Sequence, residues 1–382
     1  MSKNKRAAAL SAGVTRMNGV SVERAISELR SGRPVAIRSG RSVVVAAGIE
    51  FLEMSVAEQL WRYAKRTPRL ALSAPRLRRL GFERRTDGAF ALPTIDMARI
   101  ATLSFETGAR YDAPVAPLGK HDSAALDLAR LAFILPAMVT VHVAASYAAS
   151  LDLIEVEPSA IARYRDDRVA SLHIVSRARV PLEEGVDSEF VVFRGGEGLR
   201  DQVAVIVGRP DFSAPVSVRL HSACLTGDLF GSMKCDCGDQ LRHTVKFMAE
   251  NGGGVLLYLD QEGRGNGLAN KIRAYRLQAE GYDTYDADEM IGFDHDQRGF
   301  DFAADMLVKL GISQVRVLTN NPEKMAALEW AGLQVVSDQR IIGRLNDHNI
   351  RYLASKRDRA GHFIADDIHE TLAAAAGEKP AS

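Results

Sequence analysis

The sequence predicts an α/β (α+β) protein of two domains, each a mixed β-sheet flanked by helices. Three observations lead there. Stretches with apolar residues at helical spacing alternate with short runs of Val, Leu and Ile along nearly the whole chain. A length of 382 residues suits about two domains, each able to bury a core. At 46% hydrophobic and 25% charged, the composition is that of ordinary globular proteins, which excludes wholesale disorder.

The elements follow in order. Residues 22–29 read as a short helix with Ser21 as N-cap. Strands are expected at 34–37 and 42–47, joined by a turn at Ser39 and Gly40. Helices are expected at 56–66 and 123–135, the second burying Leu126, Leu128, Leu131 and Ala132. Residues 131–149 carry no charge apart from a possible one on His142, but Pro136 interrupts them. They read as a buried helix end followed by a strand at 138–143, not as a membrane span. Polar residues 158–167 end the first part. In the second part, strands are expected at 190–193, 203–207, 216–221, 254–259, 315–318 and 333–336. Helices are expected at 238–251, closed by Asn251 and three glycines, and at 268–280, 300–309 and 324–330. The domains are therefore drawn at 16–172 and 177–365, with 1–15 disordered and 366–382 a flexible tail.

A formal charge of +1 lacks the basic excess of a general nucleic-acid binder. The basic cluster Arg76, Arg78, Arg79, Arg84 and Arg85 reads as a solvated helix face, since no stacking aromatics interleave it. No apolar run follows the basic N-terminus, so no secretory signal is expected. Three cysteines make no disulfide framework and suggest a reducing compartment. A cytoplasmic protein without membrane or nucleic-acid partners is expected.

The strongest chemical signal is Cys224, then Cys235-Asp236-Cys237. Three soft thiolates without a histidine at standard spacing suit Zn2+, with the fourth tetrahedral position left for water. A closed structural site completed from elsewhere, or three reduced core cysteines, would give the same spacing. The loop from Asp260 through Gln261, Glu262, Gly263, Arg264 and Gly265 to Gly267 follows a strand and precedes a helix. Such a loop can cradle a phosphate, with Arg264 as clamp, or can be a tight strand-to-helix turn. Asp294 to Arg298 places carboxylates and an arginine ahead of a helix, as a polar site or a helix cap. Thr319 to Lys324 follows an apolar strand, where open α/β sheets bind ligands.

Together these strings carry a resemblance. Arg219 to Asp228, Cys235 to Gly238, Gln261 to Arg264, Asn270 to Tyr275, Gly281 to Thr284 and Leu318 to Pro322 resemble, in order, the motifs of GTP cyclohydrolase II over about 177–365. The resemblance implies hydrolysis of GTP to formate, pyrophosphate and a diaminopyrimidinone ribosyl phosphate, the first step of riboflavin biosynthesis. It implies Cys224, Cys235 and Cys237 as zinc ligands, with a zinc-held water directed at C8 of the guanine. Arg219, His221, Ser222, Gln240, Glu262, Gly263, Arg264, Thr284, Thr319 and Lys324 would bind GTP. Asp296 would be the general base, and Tyr275 would lie near the purine. Arg298 is the family's proposed nucleophile toward the α-phosphate; as a permanent cation it suits charge stabilisation better. Mg2+ on the phosphates and a homodimer are also implied. One departure is Ala223, where the family has Glu.

The first part resembles 3,4-dihydroxy-2-butanone 4-phosphate synthase, in residues 25–35 and in 120–132. That synthase needs clustered carboxylates near its first hairpin for Mg2+ and proton abstraction. Here only Glu50 is acidic across 38–50, and Ser123 stands where the family has Glu. The part is therefore expected to lack synthase activity and to serve a structural or dimerising role. Two other readings stand beside the leading one: a cyclohydrolase II-like enzyme of another pathway, and a non-catalytic nucleotide-binding regulator.

Overall fold

The computed structural model describes residues 19–111, 113–196, 200–294, 298–341, 343–344 and 346–363. The ends expected to fray, 1–15 and 366–382, fall outside these, as does Asp296. The chain forms two compact units that do not follow a linear division at 172–177. The first holds Met1–Asp167 together with Ala269–Gln297, and the second holds Arg168–Leu268 and Arg298–Ser382.

The first unit opens with α1 (19–30) and the hairpin β1 (Val35–Ser39) and β2 (Ser42–Gly48). Gly40, at φ +60°, makes that turn possible. The chain continues through α2 (Met54–Arg62), β3 (Arg69–Leu72), α3 (Ala74–Arg79), β4 (Gly88–Ala91) and α4 (Met97–Phe105). Next come β5 (Ala116–Pro117), α5 (Lys120–Leu131), β6 (Ala137–Val143), α6 (Ala145–Ser150) and β7 (Glu155–Val156). The sheet runs β5-β4-β3-β6-β2-β1-β7, with only the β1–β7 pair parallel. Val44 and Val45 point to opposite faces and both are fully buried, because helices cover both sides. Leu126, Leu128 and Ala129 of α5 pack into one layer, and Leu60, Leu77 and Leu103 into the other.

The polar stretch expected to end the first part lies in helix α7 (Pro158–Ala170), anchored by buried Ala160, Ile161 and Tyr164, and the first segment of the first unit ends within it, at Asp167. The second unit then builds β8 (His173–Arg179), β9 (Ser188–Arg194), β10 (Gln202–Val207) and β11 (Val216–Ser222). It continues with α8 (Leu225–Asp228), α9 (Cys237–Glu250) and β12 (Gly254–Leu259). Helices α10 (Leu268–Ala279) and α11 (Thr284–Met290) return the chain to the first unit. The second unit resumes with α12 (Asp301–Lys309), β13 (Gln314–Leu318), α13 (Pro322–Trp330), β14 (Gln334–Gln339) and α14 (Ile350–Ala360). Its sheet order is β14-β13-β11-β12-β10-β9-β8, parallel from β14 to β12 and antiparallel beyond. Parallel pairing brings the carboxyl ends of β11, β12 and β13 to one edge, where an open α/β sheet presents its ligand site. Among the described residues no helix is long and apolar enough to cross a membrane.

Most of the basic cluster at 76–85 is engaged by partners and does not form a solvated face, although Arg85 is exposed. Arg76 is 1% exposed. Its guanidinium donates to the carbonyls of Thr102 (2.8 Å), Leu103 (2.8 Å), Glu106 (2.9 Å) and Met290 (3.0 Å). Arg78 and Arg79 pair with Glu289, each at 2.8 Å, and Arg84 donates to the Val115 carbonyl. Helical spacing could not show this, because the partners come from α4 and its end and from α11. Arg76→Met should strand these buried carbonyls and destabilise the first unit by about 3 kcal/mol, read as a lower urea midpoint. Arg85→Ala, by contrast, should change the midpoint little.

Candidate active site

The site grows from the carboxyl end of β11. The strand delivers Arg219, His221 and Ser222 in a row, and the chain then turns at Cys224 into the one-turn α8. Cys235 and Cys237 arrive at the start of α9. The three sulfur atoms all lie within 4.8 Å of one another, and Cys224 Sγ stands 3.6 Å from Cys235 Sγ. A tetrahedral ion with sulfur ligands at about 2.3 Å keeps them about 3.8 Å apart, so the donor set fits zinc. Among the described residues this is the one group of three or more metal-binding side chains so close together. A second observation agrees. A Cβ on Gly227 would stand 2.7 Å from Cys235 Sγ and 3.0 Å from Cys224 Sγ. One on Gly238 would stand 2.2 Å from the Gly227 carbonyl. Two glycines thus let the backbone close around the sulfurs. As free thiols the group holds its protons: the hydrogen bond with Cys224 pushes Cys235 up to about 11, and Cys237 rises for the same reason.

Around the thiols lies a layer in which sequence reasoning missed Asp228 and Tyr258. Asp228 accepts the Cys224 backbone N–H at 2.9 Å and the Tyr258 hydroxyl at 3.0 Å, and it faces His221 Nε2 at 3.1 Å. Its position four residues after the first cysteine was the available signal. His221 is buried and stacked on Tyr258, and burial holds its pKa down. Arg219 is also buried; it donates to the Leu318 carbonyl at 3.1 Å and to Gln240, which donates to Asp236 between the two later cysteines. Ala223 continues the strand pairing, its N–H donating to the Leu259 carbonyl at 2.8 Å.

The glycine loop after β12 runs through left-handed backbone at Gly263, Arg264, Gly265 and Gly267. Of the two readings, the tight turn accounts for three of its N–H groups. Gly265, Asn266 and Gly267 donate to loop carbonyls at 3.2, 3.1 and 2.9 Å. Glu262 accepts the Leu225 N–H at 2.6 Å and so ties this loop to the cysteine turn. Any anion here must therefore be met largely by side chains. Ser222 Oγ bonds Gln261 at 3.1 Å and receives Arg298 at 3.2 Å. Thr319 is buried, its hydroxyl accepting the Asn321 N–H at 3.0 Å. Lys324 is buried and donates to the Leu220 carbonyl at 2.7 Å.

The C-terminal segment brings residues that no motif suggested. Lys356 Nζ stands 3.8 Å from Asp236 and 4.1 Å from the Tyr352 ring centroid. Half-buried His362 is held down to about 3, first by burial and then by the positive charge of Lys356, Arg298, Lys324 and Arg264. Four cations acting on one imidazole mark a positive region. Tyr275 lies on α10 and Thr284 begins α11; both belong to the first unit. Asp296 lies outside the described residues.

Comparison with known proteins agrees with this geometry. The family model described as GTP cyclohydrolase II matches residues 173–340. A GTP cyclohydrolase-2 from Xylella fastidiosa is 43% identical over 357 residues, covering 90% of this chain and 87% of its own. The chain belongs to the GTP cyclohydrolase II family. A riboflavin biosynthesis protein RibBA from Cytophaga hutchinsonii is 39% identical over 257 residues, 64% of this chain and 63% of its own. A GTP cyclohydrolase-2 from Azotobacter vinelandii is 46% identical over 200 residues, covering 52% of this chain and 95% of its own. In this cyclohydrolase family member, Gly227→Ala should lower bound zinc well below one per chain, measured by metal analysis of protein that remains folded by circular dichroism. Because metal binding must displace raised-pKa thiol protons, apparent zinc affinity should fall as pH drops, read by competition with a chelator.

Proposed function

We propose that this protein is a zinc-dependent GTP cyclohydrolase II that supplies riboflavin biosynthesis, releasing formate and pyrophosphate from GTP. The observation that carries the reading is the meeting, in one unit, of a three-cysteine zinc set with a positive region. It does so in a chain related along nine-tenths of its length to a protein named for that reaction. Cys224, Cys235 and Cys237 would hold the zinc, which would supply the Lewis acidity needed to activate a water for hydrolysis.

The protein's own groups do the rest. Asp228 fixes the Cys224 turn through its backbone N–H, and Tyr258 and His221 fix Asp228. Arg219 and Gln240 hold Asp236, which sets the spacing of the later cysteines. Arg264, Arg298 and Lys324, with Lys356 beside them, oppose the charge of the triphosphate and its Mg2+. Arg298, oriented by Ser222, stabilises charge at the α-phosphate as pyrophosphate leaves. Asp296 is the general base, Tyr275 meets the purine, and Gly263 and Thr284 complete GTP binding. The enzyme works as a homodimer in the cytoplasm.

The first unit, on this reading, is a synthase-like domain without synthase chemistry. Its Glu50 is engaged by Arg273 and the Leu135 N–H, and its Asp122 by Arg69, Thr140 and the Gly119 N–H. Neither carboxylate is left to gather a hard cation.

Incubation with GTP and Mg2+ tests the proposal, with formate and pyrophosphate as readouts. Zinc-loaded wild type should release both in equal amounts, and Cys235→Ser should lose at least about a thousandfold in formate release. Zinc-loaded wild type that binds GTP without releasing formate would overturn the reading in favour of a nucleotide-binding regulator.

A further inference from the structure

Beyond β14 the second unit wraps a segment around the cysteine turn, and one residue clasps both ends of the wrap. Asn320, buried just after β13, donates from Nδ2 to the Ile341 carbonyl at 2.6 Å and accepts the Ile341 N–H on Oδ1 at 3.1 Å. Its own carbonyl accepts the Phe363 N–H at 2.9 Å. Arg340 reinforces the clasp: it donates to the Thr319 carbonyl at 2.9 Å and lies over the Phe363 ring, 3.9 Å from its centroid. Between these ends the described residues of 341–363 form a strap. Arg344 meets Asp239 of α9 through two hydrogen bonds of 3.1 Å. Fully buried Asn349 donates to the Arg344 carbonyl at 2.8 Å and stands at the start of α14.

The strap meets the residue between the two later cysteines twice. A Cβ on Gly343 would stand 2.7 Å from Asp236 Cβ and 2.8 Å from the Asp236 carbonyl, so glycine lets the strap lie directly on the turn. From α14, Lys356 then returns to the same residue, its Nζ 3.8 Å from Asp236 Oδ1, with the two side chains 16% and 2% exposed. The Tyr352 ring, four residues earlier on the same helix face, lies 4.1 Å from that ammonium. The two oxygens of Asp236 are served differently. Oδ2 accepts Gln240, behind which stands Arg219, whereas Oδ1 is buried without a hydrogen bond. Among the described residues Lys356 is the one cation in an ion pair with this carboxylate. A buried carboxylate without a counter-charge is costly, and this one sits among three sulfurs that carry negative charge when they hold a metal.

We infer that Lys356 is a positioning residue for the zinc set: carried by the clasped strap, it fixes the Asp236 carboxylate and with it the turn from Cys235 to Cys237, so that the metal is retained. This rests on the zinc reading above. A strap that served stability alone would need its clasp at Asn320 and the apolar contacts of Ile350 and Leu353. It would not need to bring a cation to a buried acid inside the metal turn. Groups that orient metal ligands from behind typically change metal affinity about 10- to 100-fold when they are removed.

The test uses the full-length, zinc-loaded protein and zinc itself as the probe. Transfer of zinc to an excess of a chromophoric chelator is followed without GTP, so that anything Lys356 does toward phosphates does not enter. Lys356→Met should speed zinc release about tenfold or more. Lys356→Arg, which keeps the charge, should recover most of the difference. Because Lys356 acts through Asp236, its substitution should have no further effect in an Asp236→Asn background. Arg344→Ala removes an exposed ion pair of the strap without touching Asp236, and should leave release within about twofold of wild type. If Lys356→Met fails to fold, Lys356→Gln keeps a donor at the site and should speed release in the same direction by a smaller factor. Release at the wild-type rate from the folded Lys356 variant would overturn the inference. So would effects of Lys356→Met and Asp236→Asn that multiply independently, or an Arg344→Ala effect as large as that of Lys356→Met, which would make the strap a general fastening. Wild type that takes up no zinc would sink the zinc reading and the inference with it. Wild type that holds zinc and releases no formate would sink only the cyclohydrolase reading, and the release rates would still decide the part played by Lys356.

Discussion

Three sulfur atoms within 4.8 Å of one another set the terms for the second unit. As thiols they hold one another's protons, which is why Cys235 and Cys237 titrate high. As thiolates they would repel, and only a cation among them relieves that. The surroundings follow from the crowding. Gly227 and Gly238 are glycines because the backbone must pass so close to sulfur and carbonyl that any Cβ would collide. Asp228 is a carboxylate because one group must accept the Cys224 N–H and the Tyr258 hydroxyl at once while facing His221. Arg219 is tolerated in a buried strand because Gln240 relays it to Asp236, an acid the cysteines themselves bracket. Each of these buried polar groups would be a liability alone; as a layer they fix the turn that carries the first cysteine.

What could be read from the sequence follows the range of the interactions. The strands of the second sheet were legible because those buried on both faces appear as unbroken apolar runs, as in β11 and β12. The cysteines were legible because ligand chemistry leaves a local spacing. Asp228 and Tyr258 were not, since they act through a backbone N–H and a ring stacked across a strand pair 37 residues apart, His221 to Tyr258. Arg76 was misread because a helical pattern gives the face of a residue but not what waits there, and its carbonyl cage comes from α4 and from Met290. The division at 172–177 assumed that a unit is contiguous. Nothing local in 269–297 says otherwise, because its amphipathic faces look alike whichever core they meet. Lys356 and His362 carried no motif, and their meaning comes only from the cations and carboxylates they face.

The first unit shows how buried charges are held within a core. Asp122 and Glu50 stay buried, and buried carboxylates must be paired. Asp122 meets Arg69, Thr140 and a backbone N–H; Glu50 meets Arg273 and another. Each carboxylate is thus taken up by an arginine and a backbone N–H within its own unit.

In the second unit the charges are sorted instead of neutralised. Thiols and the carboxylates of Asp228 and Asp236 gather at the end of β11 and the start of α9. Arg264, Arg298, Lys324 and Lys356 gather where His362 is kept neutral. Helix α14 is tied to the first group through Lys356, which faces Asp236 and the Tyr352 ring, while the positive charge of the second holds His362 down, after burial. Lys356 also faces Asp236, Lys324 the Leu220 carbonyl and Arg298 Ser222, and a concentration of positive charge of this kind suits an anionic ligand. The ligand that suits such a surface has an electrophilic, weakly charged end for the metal and a strongly anionic end for the cations. A purine nucleoside triphosphate has that polarity, and so the charge pattern of the second unit agrees with its family before any single residue is assigned a role.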